Sequence, residues 1–272
     1  MSETQLKSSD GLSLYAWTRR PSAKPKGVIA HVHGMGEHSR RYDHVTQYWD
    51  DHGYASAGFD LRGHGRSEGQ RGHTPSYEQL MDDIALFLDW VMSELPGLPV
   101  TLYGHSMGGN LVLNYVIRRQ PFIAGVVASA PYLRLAFEPP AWKVRMAEWI
   151  RWIVPTFSQS TGLELAALSR DPAVIARYQA DPLVHDRITV TFFAEVHAAG
   201  ETIIDRAAEL MIPALVMHGS ADRLTSPAGS LDFVDESSGK AILKVWEGFY
   251  HELHNEPGWE AVPAHVLDWM KG

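Results

Sequence analysis

The sequence predicts an α/β fold, a mostly parallel sheet flanked by helices with a helical cap insertion, and two observations predict it. Short apolar runs of strand length alternate with amphipathic runs of helix length along most of the chain. Alternation of that kind stacks parallel strands edge to edge and packs the crossover helices on both faces. The rhythm breaks only once, between Pro131 and about Ile188, where tryptophans at 142, 149 and 152 stand among prolines at 139, 140, 155 and 172.

Element by element, Thr4 to Arg19 reads as two short strands around the Ser9-Asp10-Gly11 turn, the second alternating in Leu12-Ser13-Leu14-Tyr15-Ala16-Trp17. Gly27 to Val32 is a strand, Arg41 to Gly53 a helix and Tyr54 to Phe59 the next strand. The clearest helix runs from Tyr77 to Leu95, with Ser76 and Gln79 spaced as a capping box and Leu80, Ile84, Phe87, Leu88 and Val91 on one face. Pro96 and Gly97 stop it. Later strands are Ile123 to Ala128, Ile212 to Met217 and Ala241 to Val245. We expect residues 1–130 and 189–272 to form the core and 131–188 to form a cap above the C-terminal edge of the sheet, where open α/β sheets bind ligands.

A length of 272 residues suits one core with one insertion, and 45% hydrophobic with 21% charged residues is ordinary globular composition. The formal net charge of −8 argues against a protein held to nucleic acid by charge. With no cysteine, disulfides, thiolate metal sites and a cysteine nucleophile are excluded. The N-terminus lacks a basic region followed by an apolar run, and no stretch approaches the length of a membrane span, so a cytoplasmic protein is expected.

The pentapeptide Gly104-His105-Ser106-Met107-Gly108 is weak as a pattern, because Gly and Ser are common. Its flanks strengthen it. Pro99 to Tyr103 is a short apolar run and Asn110 to Arg119 a helical one, so Ser106 falls at a strand-turn-helix elbow, where a serine hydroxyl is held exposed on a strained turn. A serine attacks only when a base takes its proton, and the base needs a carboxylate to orient it. Two later strands run into candidate loops, His218-Gly219-Ser220-Ala221-Asp222 and Gly248-Phe249-Tyr250-His251. Asp222 and His251 are the candidates, with His254 competing three residues on.

Acyl transfer also needs donors for the oxyanion of the tetrahedral intermediate. The amide of Met107 follows the nucleophile, and the early loop His33-Gly34-Met35-Gly36 offers the amide of Met35. His31, His33, His38, His64 and His105 cluster near strand ends, but no zinc-ligand spacing occurs among them, so they are expected to pack and hydrogen-bond around the floor of the site. Neither metal nor cofactor is called for.

The segments His33 to Tyr42 (HGMGEHSRRY), Asp60 to Ser67 (DLRGHGRS), GHSMGG at 104–109, His218 to Asp222 and Tyr250 to His254 together resemble the monoacylglycerol lipase and lysophospholipase branch of the α/β-hydrolases. The resemblance implies Ser106, Asp222 and His251 as catalytic residues, prefers His251 over His254, and implies structural roles for Asp60 and Arg62. Ester hydrolysis follows from it. Dehalogenation on this fold would need aspartate at position 106, a proline-releasing peptidase would need a recognisable site for a free amine, and a non-catalytic relative would show a broken triad.

The cap carries no matching motif. Within it Trp142, Met146, Trp149, Ile150 and Ile153 share a helical face, which could pack on the core, line an acyl tunnel or touch a membrane surface. The expected substrate is a small-molecule ester with one acyl chain, its polar head near Glu37 and His38.

Overall fold

The computed structural model describes residues 1–137, 149 and 152–272. Trp142, Met146 and Ile150 lie outside the described residues. The strands are β1 Ser2–Lys7, β2 Ser13–Arg19, β3 Val28–Val32, β4 Ala55–Phe59, β5 Val100–His105, β6 Gly125–Ser129, β7 Ser158–Ser160, β8 Arg187–Thr189, β9 Ala214–Gly219 and β10 Ala241–Trp246. Eight of them form one sheet in the order β1-β2-β4-β3-β5-β6-β9-β10. β1 and β2 join it antiparallel, and every pairing from β4 to β10 is parallel.

The described helices are α1 Asp43–Asp51, α2 Tyr77–Glu94, α3 Met107–Arg119, α4 Pro172–Ala180, α5 Val190–Asp205, α6 Pro227–Glu236 and α7 Ala261–Trp269. Successive strand residues point to opposite faces, and here both faces are covered. Val28, Ala30, Val32, Leu102, Val126, Ala128 and Val216 pack with apolar residues of α2, α3 and α5, such as Phe87, Leu111 and Ile203. Ile29, Tyr103, Val127, Leu215 and Met217 pack on the other side with Val45 and Trp49 of α1 and Val262 and Val266 of α7. The central strands therefore read as continuous apolar runs, with the helices supplying the amphipathic signal.

The predicted face of α2 is buried from Leu80 to Val91, but its capping box is half formed. Ser76 Oγ accepts from the Gln79 amide at 3.2 Å, whereas the Gln79 side chain turns away to Ser8 and Ser9 in the β1–β2 turn. Two features differ from the expected pattern. The insertion is not purely helical, since β7 and β8 pair antiparallel near its end, and strands of three residues are too short to show a period. α5, capped by the Thr189 hydroxyl and packed on α3, is a helix where the sequence pattern predicts no element. Asn110 and Asn114 of α3 donate to the carbonyls of Val196 and Ala199 on α5, fixing the two helices together. Among the described residues no helix is long and apolar enough to cross a membrane.

Candidate active site

Strand β5 ends at His105, α3 begins at Met107, and Ser106 between them sits at φ 54°, ψ −118°. A non-glycine residue is strained there, and only tight surroundings maintain it. The neighbouring glycines provide those surroundings. A Cβ on Gly104 would collide with the carbonyl of Gly108, and one on Gly108 would collide with the carbonyl of Val32 on β3. Strand and helix thus approach as closely as backbone allows, the Ser106 amide donates to Ser129 on β6 at 2.9 Å, and the hydroxyl is left at the edge of a cavity.

The loops after β9 and β10 meet that hydroxyl. His251 Nε2 lies 2.9 Å from Ser106 Oγ, and His251 Nδ1 lies 2.8 Å from Asp222 Oδ2. Asp222 Oδ1 accepts from the amides of Leu224 (2.8 Å) and Thr225 (3.1 Å). Its Oδ2 also accepts from the Thr225 hydroxyl at 2.9 Å and faces His218 Nε2 at 3.1 Å. Burial alone would raise this carboxyl, but the charge of His251 and the hydrogen bonds of His218 and His251 hold it far below the usual carboxylate range. Asp222 is therefore a fixed anion. For His251 burial opposes the charged form, yet Asp222 first, then Glu252 and Glu37, lift its pKa above the ordinary value.

His254, the competing histidine, is fully buried and stacks on Tyr42 with ring centroids 4.4 Å apart. Neither ring nitrogen has a hydrogen-bond partner among the described residues, and burial drives its pKa well down. Three further histidines serve backbone. His31 Nε2 contacts the Ser39 carbonyl, His33 bridges the Gly34 carbonyl and the Leu61 amide, and His64 Nδ1 contacts the Arg62 carbonyl. His105 lies under His251 with centroids 4.8 Å apart, and burial pushes its pKa down to about 3, so it stays neutral beside that ring.

The loop from His33 to His38 runs against Ser106. A Cβ built on Gly34 would stand 3.3 Å from Ser106 Cβ, and Met35 lines the same cavity as Ser106, His105 and His251. Met107 is the first residue of α3, so its amide has no preceding turn to bond. Glu37 lines the cavity too, but both its oxygens are engaged within the protein. Oε1 accepts from the Gly34 amide at 2.6 Å and the Tyr42 hydroxyl at 2.8 Å, and Oε2 pairs with Arg41 at 2.5 Å. His38 is not among the lining residues, and its Nε2 faces Asp181 Oδ2 at 2.9 Å. Trp149 is 74% exposed and does not line the cavity.

Asp60 and Arg62 are buried and hold loops. Asp60 accepts from Ser39 and Arg66, while Arg62 grips Asp83 with Nε at 2.6 Å and Nη2 at 2.9 Å. Sequence reasoning missed Thr225, Arg41, Glu252 and Tyr178. Nothing in the sequence marks Thr225, whereas Arg41 and Glu252 do lie inside the quoted segments.

A serine on a strand-to-helix elbow, served by a histidine and an aspartate from the ends of two later parallel strands, defines a serine hydrolase of the α/β-hydrolase fold. Residues 23–258 match the Hydrolase_4 family, described as serine aminopeptidase, S33, and the chain belongs to that family. The monoacylglycerol lipase of Mycolicibacterium smegmatis is 35% identical over 93% of this chain and 90% of that protein. An abhydrolase domain-containing protein of Dictyostelium discoideum is 35% identical over 96% of this chain, which spans 28% of that relative's length. The crystal structure of Paleococcus ferrophilus monoacylglycerol lipase superimposes with a TM-score of 0.85 at 35% identity, covering 94% of this chain and 98% of that one.

Proposed function

We propose that this chain hydrolyses carboxylic esters bearing a single acyl chain, monoacylglycerols foremost, through an acyl-enzyme on Ser106. His251 Nε2 takes the hydroxyl proton as Oγ attacks the ester carbonyl, and Asp222 stabilises the imidazolium that results. The oxyanion is received by the amides of Met35 and Met107. Collapse of the intermediate breaks the bond to the alcohol, which leaves with the proton from His251. Water, deprotonated by the same histidine, then attacks the acyl carbonyl and frees Ser106. The observation that carries this reading is the continuous relay from Ser106 through His251 to Asp222 at 2.9 and 2.8 Å. Two relatives named above as monoacylglycerol lipases support the choice of ester.

We take residues 131–188 as the cap, a stretch that falls in the chain between the sheet neighbours β6 and β9. Its exposed Trp149, Trp152 and Ile153 suit contact with an insoluble substrate or the surface that presents it. The described cavity at Ser106 is about 70 Å³, against roughly 300 Å³ or more for sites that enclose a drug-sized ligand. In this reading the head group is set at the Glu37 end of that cavity. Rates on a monoacylglycerol and a triacylglycerol of the same acyl chain, at matched ester concentration with detergent controls, test the proposal. Faster release from the monoacylglycerol is expected. Equal or faster release from the triacylglycerol would overturn it.

A further inference from the structure

Arg41 is more than nine-tenths buried by its neighbours, and it is the point where three parts of the site meet. Its Nη1 reaches Glu37 Oε2 at 2.5 Å and Glu252 Oε1 at 2.7 Å, and its Nη2 reaches Glu252 Oε2 at 2.9 Å. Glu37 carries the Gly34 amide on its other oxygen, and Gly34 adjoins Ser106 and precedes the Met35 amide. Glu252 immediately follows His251 and is held by Asn255 at 2.7 Å. The Arg41 guanidinium also lies 4.7 Å over the ring of Tyr178 on α4. Its planar fork matches two carboxylates at once, which an ammonium cannot do in the same geometry.

We propose that Arg41 is a positioning residue of the hydrolase site, tying the loop that bears the Met35 amide to the loop that bears His251 through Glu37 and Glu252. The two loops come from opposite ends of the chain, so their separation is set by this bridge rather than by local sequence. A small misplacement of a base or an oxyanion donor is expensive in rate, on the order of a hundredfold for about 1 Å. The proposal rests on the ester-hydrolase reading above.

Glu252→Gln is the sharper test because Arg41 keeps Glu37 as its counter-charge and the fold is spared an unpaired buried ion. With p-nitrophenyl butyrate, kcat per active site, counted by fluorophosphonate labelling, should fall at least about tenfold while KM changes little. Arg41→Lys should lose turnover in the same way. The acid limb of kcat/KM is a second readout. His251 is faced by Asp222 from the β9 loop, Glu37 from the early loop, His105 from β5, and Glu252 and His254 from its own loop. Of these Glu252 favours the imidazolium, so Glu252→Gln should move the acid limb to lower pH. A merely structural role would cost melting temperature and leave both readouts unmoved per active site. Wild-type kcat in both variants, or loss confined to KM, would overturn the bridge. A wild-type protein without esterase activity would overturn the bridge and the reading beneath it together.

Discussion

Ser106, His251 and Asp222 are individually ordinary residues, and their surroundings make them chemistry. Asp222 keeps its charge because two amides, a hydroxyl and two imidazoles face it, so it can hold His251 in the tautomer that accepts the serine proton. His254 lies three positions on and does none of this, its ring being stacked on Tyr42 and packed edge-on against His105. His251→Ala should therefore remove all but about 1% of turnover, since loss of a triad base costs several powers of ten. His254→Ala should retain substantial activity, and its cost should be read in the melting temperature. The reverse ranking of steady-state rates would contradict the assignment. The acid limb follows from the same contacts. In the proposed mechanism His251 is a base and works only when neutral, and Asp222 raises its folded pKa above the ordinary 6.5. Activity should be lost as pH falls through a midpoint above 6.5. A kcat/KM profile flat down to pH 5 would contradict it.

At the scale of elements, the elbow is set by backbone approach. Gly108 stands against the Val32 carbonyl, so Gly108→Ala must push α3 away from β3 and carry Ser106 with it. Overpacking of this kind costs about 1–3 kcal/mol, and the displaced serine should cost turnover as well. Thermal melts and rates measured together check this, and an unchanged melt with full activity would mean that the elbow relaxes freely. The strand-turn-helix flanks made the elbow legible in the sequence, as turn and strand signals did for β1 through β6. What was not legible shares a physical cause. Arg41 and Glu252, 211 residues apart, act through a contact that spans the chain. Periodicity reports only which face is buried, and it cannot report which distant partner a buried charge will find. α5 escaped notice for a related reason, because it is buried against α3 and carries little polar contrast around its circumference.

For the whole molecule, the parallel sheet explains why three distant residues converge. Strands β5, β9 and β10 all point the same way, so the segments leaving their C-terminal ends lie along one edge, and Ser106, Asp222 and His251 each lie in such a segment. At that edge His185 donates its amide to the Gly36 carbonyl at 2.8 Å, and β8 runs on into α5. The central claim is that this convergence makes Ser106 the covalent nucleophile. The most direct measurement is mass spectrometry of the protein quenched by acid during turnover of a monoacylglycerol. The mass of one acyl group should appear on the peptide containing Ser106, and Ser106→Ala should show neither the adduct nor fatty-acid release while melting as the parent does. Release of fatty acid by Ser106→Ala at more than about 1% of the parent rate, or an acyl group on any other residue, would contradict it.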